Sequence, residues 1–212
     1  MKFGIFSFWE NYADDDRRAF ADQLAMVRLA DRLEFDEVWL AEHHFNPFSL
    51  CPSIFMLASH VAAVTNQIRI GTAAVLLPFQ DPIRTAEDVA TIDLLSGGRF
   101  NLGVARGAPV PVQEKHFRVP AHVSRPMTVE RLDAISRLLA EDHVSIDGTS
   151  VLFSDVTIHP KPVQRPVPIF VATNDKDFVT HAAKRGYGLL WAQGLISRDF
   201  FCQSSARVLT GT

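Results

Sequence analysis

The amino-acid sequence predicts an α/β fold in which a parallel sheet is wrapped by helices. Apolar runs with the composition of buried strands alternate with segments whose apolar residues recur at helical spacing. The connections between them are short, which is typical of strand–helix units joined by right-handed crossovers. Six such units can be counted in the 212 residues. A complete barrel of eight units takes about 250 residues, so two units are expected to be missing.

Composition and charge argue against several classes of partner. The formal net charge is −3 and 47% of the residues are hydrophobic. There is no basic stripe, so nucleic acid is not an expected partner. The two cysteines lie far apart and form no disulfide framework. Neither a signal peptide nor a membrane-spanning run of about 20 apolar residues is recognisable, so we expect a soluble cytoplasmic protein without a membrane partner.

The first two units follow directly from the pattern. Residues 2–7 predict the first strand, and the acidic residues 14–16 supply N-cap chemistry for a helix that runs to about Glu34. Its apolar stripe comprises Phe20, Leu24, Val27 and Ala30. Residues 35–41 predict the second strand and residues 53–64 the second helix. These elements make two consecutive strand–helix units.

The next two units are marked by proline and glycine. Residues 68–77 predict a third strand, and Asp81 followed by Pro82 predicts the start of a third helix. Two glycines at 97 and 98 end this helix. Residues 99–105 predict the fourth strand.

The alternation of strands and helices is interrupted at residues 107–126, which contain four prolines and two histidines and show no clear periodicity. A loop this long is usually functional or disordered, and we expect it at the active-site face, as part of the substrate entrance. The pattern then predicts a helix, a short β excursion, the fifth strand, a further helix, the sixth strand and a last helix, at residues 128–142, 144–158, 169–172, 175–184, 187–191 and 197–209. We expect a single domain over residues 1–212, with an atypical segment from residue 192.

The second strand ends abruptly in three ionisable residues, Glu42, His43 and His44. In a barrel of strands and helices, the carboxyl ends of the strands form the reactive face. Side chains alternate along a strand, so Glu42 and His44 should point one way and His43 the other. The alternative is a polar strand end that merely begins a loop.

Six collinear stretches resemble the bacterial luciferase-like, flavin-dependent monooxygenases. They read EHHF, IGTAAVLLP, DPIRTAEDV, GRFNLGVARG, PIFVA and AAKRGY, at residues 42–45, 70–78, 81–89, 98–107, 168–172 and 182–187. The resemblance extends over roughly residues 1–191. Together these stretches are specific to the family, although not to a substrate.

The resemblance implies a TIM-type barrel, here incomplete with about six of eight units, that binds FMN at the carboxyl ends of its strands. It implies a monooxygenase that takes reduced FMN from a separate flavin reductase and uses oxygen to oxidise an aldehyde or another small organic substrate. Two alternatives stay open within the same superfamily. One is a non-catalytic flavin-binding subunit, and the other is an oxidoreductase that uses the deazaflavin F420.

The resemblance also assigns residues. His43 matches the catalytic histidine, and its reference pKa of about 6.5 suits proton transfer near neutral pH. Glu42 is expected to tune the charge of the site. Ala74, in a strand otherwise rich in large residues, would let a flat flavin ring approach the backbone, although tight packing explains it equally well. Arg106 and, less directly, Arg125 would hold the FMN phosphate; the alternative for each is a solvated surface charge.

Thr173 and Asn174 precede a helix start and are expected to bind the FMN phosphate through helix N-terminal chemistry. Asp175 and Asp177 stand where the family has small hydroxyl residues, and a carboxylate there would repel phosphate unless it caps the helix. Trp191 would stack near the flavin or fill the barrel. No further ligands stand at zinc-site spacing, so no metal is expected.

The missing units predict open edges on the first and sixth strands, and open strand edges favour pairing with another chain. The chain is therefore expected to be a shortened relative, a truncated product or one part of a larger assembly. We expect a homodimer that buries an apolar helix surface or a strand edge.

Overall fold

The computed structural model of the chain describes residues 1–107 and 110–191. Strands and helices alternate along it. The strands are β1 (Gly4–Ser7), β2 (Glu37–Leu40), β3 (Arg69–Thr72), β4 (Val75–Leu76), β5 (Phe100–Ala105), β6 (Val144–Asp147), β7 (Leu152–Val156), β8 (Ile169–Ala172) and β9 (Gly188–Leu190). The helices are α1 (Asp16–Arg32), α2 (Ile54–Val64), α3 (Pro82–Leu95), α4 (Pro111–Phe117), α5 (Ala121–Ala140) and α6 (Lys176–Lys184), and a 3-10 turn covers Leu77–Phe79.

One parallel sheet organises the fold. Its strands are hydrogen-bonded in the order β1, β2, β3, β5, β8 and β9, and β4 also pairs with β5. Each strand lies beside the strand of the next unit along the chain, so the sheet curls into an incomplete barrel with helices outside. The predicted incomplete α/β barrel of six units is confirmed. Within the described residues, β1 and β9 each pair with a single strand.

The two faces of the sheet carry different side chains. On the outer face, the register partners Val38, Ile70 and Phe100 are fully buried in the core against the helices. On the inner face, Trp39 lies across Gly71, where an added Cβ would come within 2.2 Å of the indole ring. Register partners point to the same face of a sheet. The aliphatic core is therefore outside the curled sheet, and aromatic rings cover glycines inside it.

Acidic residues begin three of the helices, as the sequence predicts. The carboxylates of Asp15, Asp81 and Asp175 each accept a hydrogen bond from the backbone N–H three residues later, at 3.0, 2.9 and 2.9 Å. Each bond satisfies one of the N–H groups that a helix leaves free at its start. The starts of α1, α3 and α6 are therefore fixed by local side-chain chemistry.

A polar network holds the edge where the strands begin. The Asp31 carboxylate accepts hydrogen bonds from three consecutive backbone N–H groups, at residues 66–68, over 2.9–3.0 Å. Burial would raise the pKa of Asp31, but these bonds and the nearby Arg99 charge leave that pKa below its usual value. Arg99 donates to the backbone carbonyls of Ala62 and Thr65 at the end of α2. The network ties α1, α2 and the start of β3 together.

The third strand is interrupted, which corrects the prediction of one strand over residues 68–77. Pairing with β5 stops after β3 and resumes at β4, so that three residues, 72–74, face only two on β5. The Thr72 hydroxyl bonds both the N–H and the carbonyl of Gly103, at 2.8 Å each, in place of backbone pairing. The peptide bond Ala73–Ala74 in this bulge is cis. Every residue here suits a strand, so the pattern could not reveal the bulge.

The described part of residues 107–126 is mostly helical and is not one long loop, which corrects a second prediction. Of the described part, Pro111–Phe117 forms α4 and α5 begins at Ala121. Pro111 occupies the first helical position, where its missing N–H costs nothing. Pro126 lies inside α5 but is exposed, so water can bond the carbonyl that it leaves without a partner. Of these prolines, the described ones stand at helix starts, as Pro111 and Pro120 do, or on a solvated helix surface, as Pro126 does.

The remaining elements agree with the sequence. Strands β6 and β7 form an antiparallel hairpin, which confirms the β excursion predicted over residues 144–158. Strand β8, helix α6 and strand β9 follow within one or two residues of their predicted bounds. The helix predicted at residues 197–209, and the segment from residue 192 onwards, lie outside the described residues.

Candidate active site

The carboxyl edge of the parallel sheet brings together most residues predicted for the site. Strands β4, β5, β8 and β9 end in one row of register partners. Arg106 follows β5, Thr173 follows β8 and Trp191, half-buried, follows β9. Residues 42–44 follow β2, whose end lies beside β3 in the same sheet. Because all these strands are parallel, His43 and Arg106 lie at the same end of the incomplete barrel.

Glu42 is a buried carboxylate that holds the neighbouring segment of chain. Its side chain is 0% exposed. It accepts hydrogen bonds from the backbone N–H of Leu76 at 3.1 Å and from the Gln80 amide at 3.3 Å. A third contact joins it to Nε2 of His44 at 2.8 Å. Glu42 therefore fixes the end of β4 and the 3-10 turn against the segment after β2.

His43 points away from this cluster. Its Nδ1 lies 2.7 Å from Oγ of Ser49, and the Phe8 ring stacks on its imidazole with centroids 5.7 Å apart. Burial lowers the pKa of His43, the Glu42 charge raises it, and His44 lowers it, with a net decrease. A lowered pKa keeps the ring neutral near pH 7, so that it can accept a proton. The opposite directions of Glu42 and His43 are those that strand alternation predicts.

Four rings, His44, Phe45, Phe79 and Phe117, form an aromatic cluster beside Glu42. Phe117 lies in the middle, with its centroid 4.8 Å from His44, 5.4 Å from Phe45 and 4.5 Å from Phe79. The exposed ring of His116 lies 5.4 Å from Phe45. The cluster packs α4 against the segment after β2 and against the 3-10 turn. It gives the site an apolar wall that the sequence did not reveal.

Small side chains occupy the end of the inner face. Ala105 and Ala172 are register partners in the last row of the sheet, and both are partly exposed. Ala172 lies two residues beyond Phe170, whose ring contacts the inner-face ring of Trp39. Ala74, the predicted flavin contact, is 7% exposed and belongs to the bulge between β3 and β4. The open small surface is therefore at Ala105 and Ala172, while Ala74 is packed.

The predicted phosphate-binding residues differ in what they already contact. Arg106 is partly exposed and forms no ion pair with any described residue. Arg125 is ion-paired through Nη1 to Oδ2 of Asp175 at 2.8 Å. The Asp175 N–H donates to the Thr173 hydroxyl at 3.1 Å, and Asn174 is exposed. Arg125, Thr173 and Asp175 thus meet at the start of α6, where Arg125 has an anionic partner within the chain.

Sequence reasoning missed Ser49 and Phe8, which both contact His43. They lie in loops whose course no local pattern sets, although Phe8 directly follows the first predicted strand and that position was a usable signal. The described residues contain no group of three or more His, Cys, Asp or Glu that could hold a metal ion. No helix in the described part of the chain is long and apolar enough to cross a membrane.

Comparison with known proteins gives the family. A sequence profile described as luciferase-like monooxygenase matches residues 1–201. The chain is 32% identical over 195 residues to the alkanal monooxygenase alpha chain of the Kryptophanaron alfredi symbiont, covering 90% of this chain and 54% of that protein. It is 31% identical over 190 residues to the oxygenase component of the flavin-dependent trigonelline monooxygenase of Acinetobacter baylyi, covering 88% and 52%.

Solved structures agree with this comparison. Monooxygenase RslO1 from Streptomyces bottropensis superposes with a TM-score of 0.92 at 31% identity, covering 97% of this chain and 64% of that one. The oxygenating constituent of 3,6-diketocamphane monooxygenase from Pseudomonas putida, in complex with FMN, gives 0.78 at 19% identity, covering 89% and 56%. An F420-dependent secondary alcohol dehydrogenase gives 0.75 at 20% identity, covering 98% and 64%. The last two share the fold.

The chain spans about half the length of the curated relatives that it matches. Within that span the profile covers nearly all residues, and the parallel sheet presents the predicted site residues at one edge. The chain therefore belongs to the luciferase-like monooxygenase family.

Proposed function

We propose that this protein is an FMN-dependent monooxygenase that uses reduced flavin and oxygen to oxidise an aldehyde or another small organic substrate. Two relatives support the proposal by their names, one an alkanal monooxygenase and the other a flavin-dependent monooxygenase component. The observation that carries it is the position of His43, Arg106 and the start of α6 at one edge of a parallel sheet.

The carboxyl edge fits the ring system of FMN. Ala105 and Ala172 leave a shallow, partly exposed surface there, because neither side chain extends beyond Cβ. The aromatic cluster supplies an apolar wall on the side of α4. Flavin sites are mostly apolar with a few placed polar groups. When bound, the reduced flavin supplies the electrons that activate oxygen.

The same edge would bind the phosphate of FMN if Arg125 exchanged its present partner, Asp175, for the phosphate. Arg106 would bind the phosphate directly, since no described residue neutralises it. The backbone at Thr173 and Asn174 leads into the start of α6, where free N–H groups favour an anion. Arg125 would have to release Asp175, its present partner at 2.8 Å, before it could reach the phosphate.

His43 is the proton acceptor of the proposed site. Its lowered pKa favours the neutral imidazole, and a neutral ring can take a proton from a reacting group and later return it. Glu42 has a different role, because its carboxylate already contacts three hydrogen-bonding groups. Glu42 holds the surrounding chain in place and acts on His43 through its charge. The aromatic cluster lines this side of the site with apolar rings.

Two protein partners belong to this proposal. The trigonelline relative is named as an oxygenase component, so we expect a separate flavin reductase to provide reduced FMN. We also propose a homodimer. Its support is that β1 and β9 each pair with a single strand among the described residues, and that Phe3, directly before β1, is exposed.

A second candidate function is a non-catalytic flavin-binding subunit. The ion pair between Arg125 and Asp175 removes one cation from the phosphate site, so it bears on how tightly flavin is held in both candidates. An F420-dependent oxidoreductase is a third candidate, which rests on a shared fold alone.

One titration separates the three candidates. The full chain is titrated anaerobically with photoreduced FMN and, separately, with reduced F420, and is then mixed with oxygen and a straight-chain aldehyde. Binding of FMN with oxygen-dependent formation of the carboxylic acid, detected by mass spectrometry, is the expected result. Binding of FMN without product would support the non-catalytic subunit. Saturable binding of F420 alone would overturn the FMN proposal.

The role of His43 is tested by His43→Gln. This variant keeps a polar side chain but loses the titratable ring, so product formation should fall by roughly 10²-fold or more while FMN affinity stays close to that of the wild type. His60→Gln, which changes an exposed histidine on α2, is the matched control. Equal activity of the two variants would remove His43 from the mechanism.

A further inference from the structure

Ser49 is a buried residue that bridges two other groups near His43. It is 3% exposed. Its hydroxyl contacts the backbone carbonyl oxygen of Phe8 on one side and Nδ1 of His43, at 2.7 Å, on the other. The Phe8 ring stacks on the same imidazole. The loop after β2 therefore folds back, so that Ser49 contacts the imidazole of His43 near the start of the same loop.

The single hydroxyl proton of Ser49 determines the direction of these two hydrogen bonds. A carbonyl oxygen accepts hydrogen bonds and cannot donate, so the single hydroxyl proton of Ser49 must go to Phe8. The Ser49 oxygen then has only lone pairs left for its contact with His43. Nδ1 of His43 must therefore carry a proton and donate it to Ser49.

We infer that Ser49 is a positioning residue that fixes His43 as the tautomer with its proton on Nδ1 and an unprotonated Nε2. The free lone pair on Nε2 is then the one that can accept a proton in the site. No part of the family resemblance points to Ser49. The tautomer follows from the contacts alone, whereas its catalytic consequence rests on the proposed function.

Two further contacts hold the ring in place for this role. The His43 backbone N–H donates to the carbonyl of Cys51 at 3.0 Å, which anchors the segment on the far side of Ser49. The stacked Phe8 ring limits rotation of the imidazole about its own axis. The titratable groups beside the ring are Glu42, which contacts His44 and not His43, and His44 itself. Ser49 is therefore the group that selects which nitrogen keeps the proton.

The tautomer can be read without any flavin. In protein labelled with 15N in its histidine rings, two-bond proton–nitrogen correlation spectra distinguish a protonated Nδ1 from a protonated Nε2 at a pH where the ring is neutral. We expect the His43 signals of the wild type to show protonated Nδ1. Ser49→Ala should shift them towards the mixture of tautomers found in an unconstrained histidine. Ser49→Thr, which keeps the hydroxyl, should restore the wild-type pattern.

Activity provides a second readout. Ser49→Ala should lower kcat by about tenfold or more, which is part of the contribution typical of a general acid or base, with little change in FMN affinity. Ser49→Thr should recover most of that loss. Ser136→Ala, which removes a hydroxyl from the distant α5, controls for general effects.

Two results would overturn the inference. One is protonated Nε2 in the wild type, and the other is an unchanged His43 tautomer in a folded Ser49→Ala variant. Failure of the proposed function would look different. In that case the spectra would still show the Ser49-dependent tautomer, but neither the wild type nor Ser49→Thr would oxidise the aldehyde.

Discussion

The imidazole of His43 is partly buried, and this burial has a consequence for stability as well as for chemistry. In the folded chain burial lowers the pKa of His43, whereas the unfolded chain regains the ordinary value of 6.5. Between these two values the unfolded chain binds more protons than the folded chain. The free energy of unfolding should therefore fall as the pH is lowered through 6.5 towards the folded-state pKa, and be unaffected by His43 at higher pH.

Urea unfolding of the wild type and of His43→Gln over this pH range measures the effect. The wild type should lose stability relative to His43→Gln as the pH falls, while His60→Gln should follow the wild type. Parallel curves for wild type and His43→Gln would show that the folded chain does not depress this pKa.

Asp175 is the second residue whose chemistry bears on the site. Asp175→Ser keeps a side chain that caps α6 and releases Arg125 from its ion pair. Arg125 is 53% exposed in this pair, and exposed pairs are worth about 0.2–1 kcal/mol. The affinity for FMN should therefore rise by about fivefold or less, as measured by fluorescence titration.

The matched control for this variant is Asp177→Ser, which also removes a carboxylate from the first turn of α6. It tests whether negative charge alone weakens binding. If both variants bind FMN equally well, the ion pair between Arg125 and Asp175 has no specific effect.

On the inner face of the sheet, glycine is required wherever an aromatic ring of the neighbouring strand packs directly on the backbone. A Cβ at Gly71 would lie 2.2 Å from the Trp39 ring, so one of them must move. Gly71→Ala should destabilise the fold by about 1–3 kcal/mol, which is typical of an overpacked site. In a Trp39→Leu background the same substitution should cost less, because the ring is absent.

A double-mutant cycle from urea unfolding measures this coupling. The same logic applies to Gly188, where an added Cβ would lie 2.4 Å from the Phe170 ring. Equal costs of Gly71→Ala in both backgrounds would show that the Trp39 ring does not set the requirement for glycine.

Most elements of the fold could be predicted because apolar periodicity and cap residues act locally. Asp81 followed by Pro82 begins α3 in the sequence and in the structure. Helix α4 could not be predicted, since seven residues show too little periodicity. The bulge between β3 and β4 was hidden for another reason: it depends on the Thr72 hydroxyl bonding to Gly103, a contact between units.

The candidate site was predictable to the same extent. Strand alternation predicts the opposite directions of Glu42 and His43, which their contacts show. The family resemblance predicts Arg106 and Thr173 as phosphate-binding residues; both follow strands at the carboxyl edge, and their role stays a prediction. The contact between Ser49 and His43 was not predictable, because the loop that brings them together has no periodic pattern in the sequence. The partner of Arg125 lies 50 residues further along the chain, and only the folded sheet brings the two together.

For the whole molecule, the proposed homodimer would form at β1 or β9, each of which pairs with a single strand among the described residues. Light scattering coupled to size-exclusion chromatography should give twice the mass of one chain. Phe3→Asp places a charge directly before β1, at a residue that is 61% exposed, and should produce monomers if this edge is the interface. Leu152→Asp, at a side chain 77% exposed on β7, is the control.

A monodisperse monomer for the wild type would contradict the homodimer. A dimer that survives Phe3→Asp would instead place the interface at β9 or on an apolar helix surface.

The network around Asp31 and Arg99 lies at the opposite edge of the sheet from Glu42 and His43. Its bonds join the backbones of several units and involve none of the aromatic cluster. Laboratory evolution of the segment around Phe45 and of helix α4 around Phe117 can therefore search for new substrates without changing the Asp31 network, so that selectivity and expression yield become separable traits.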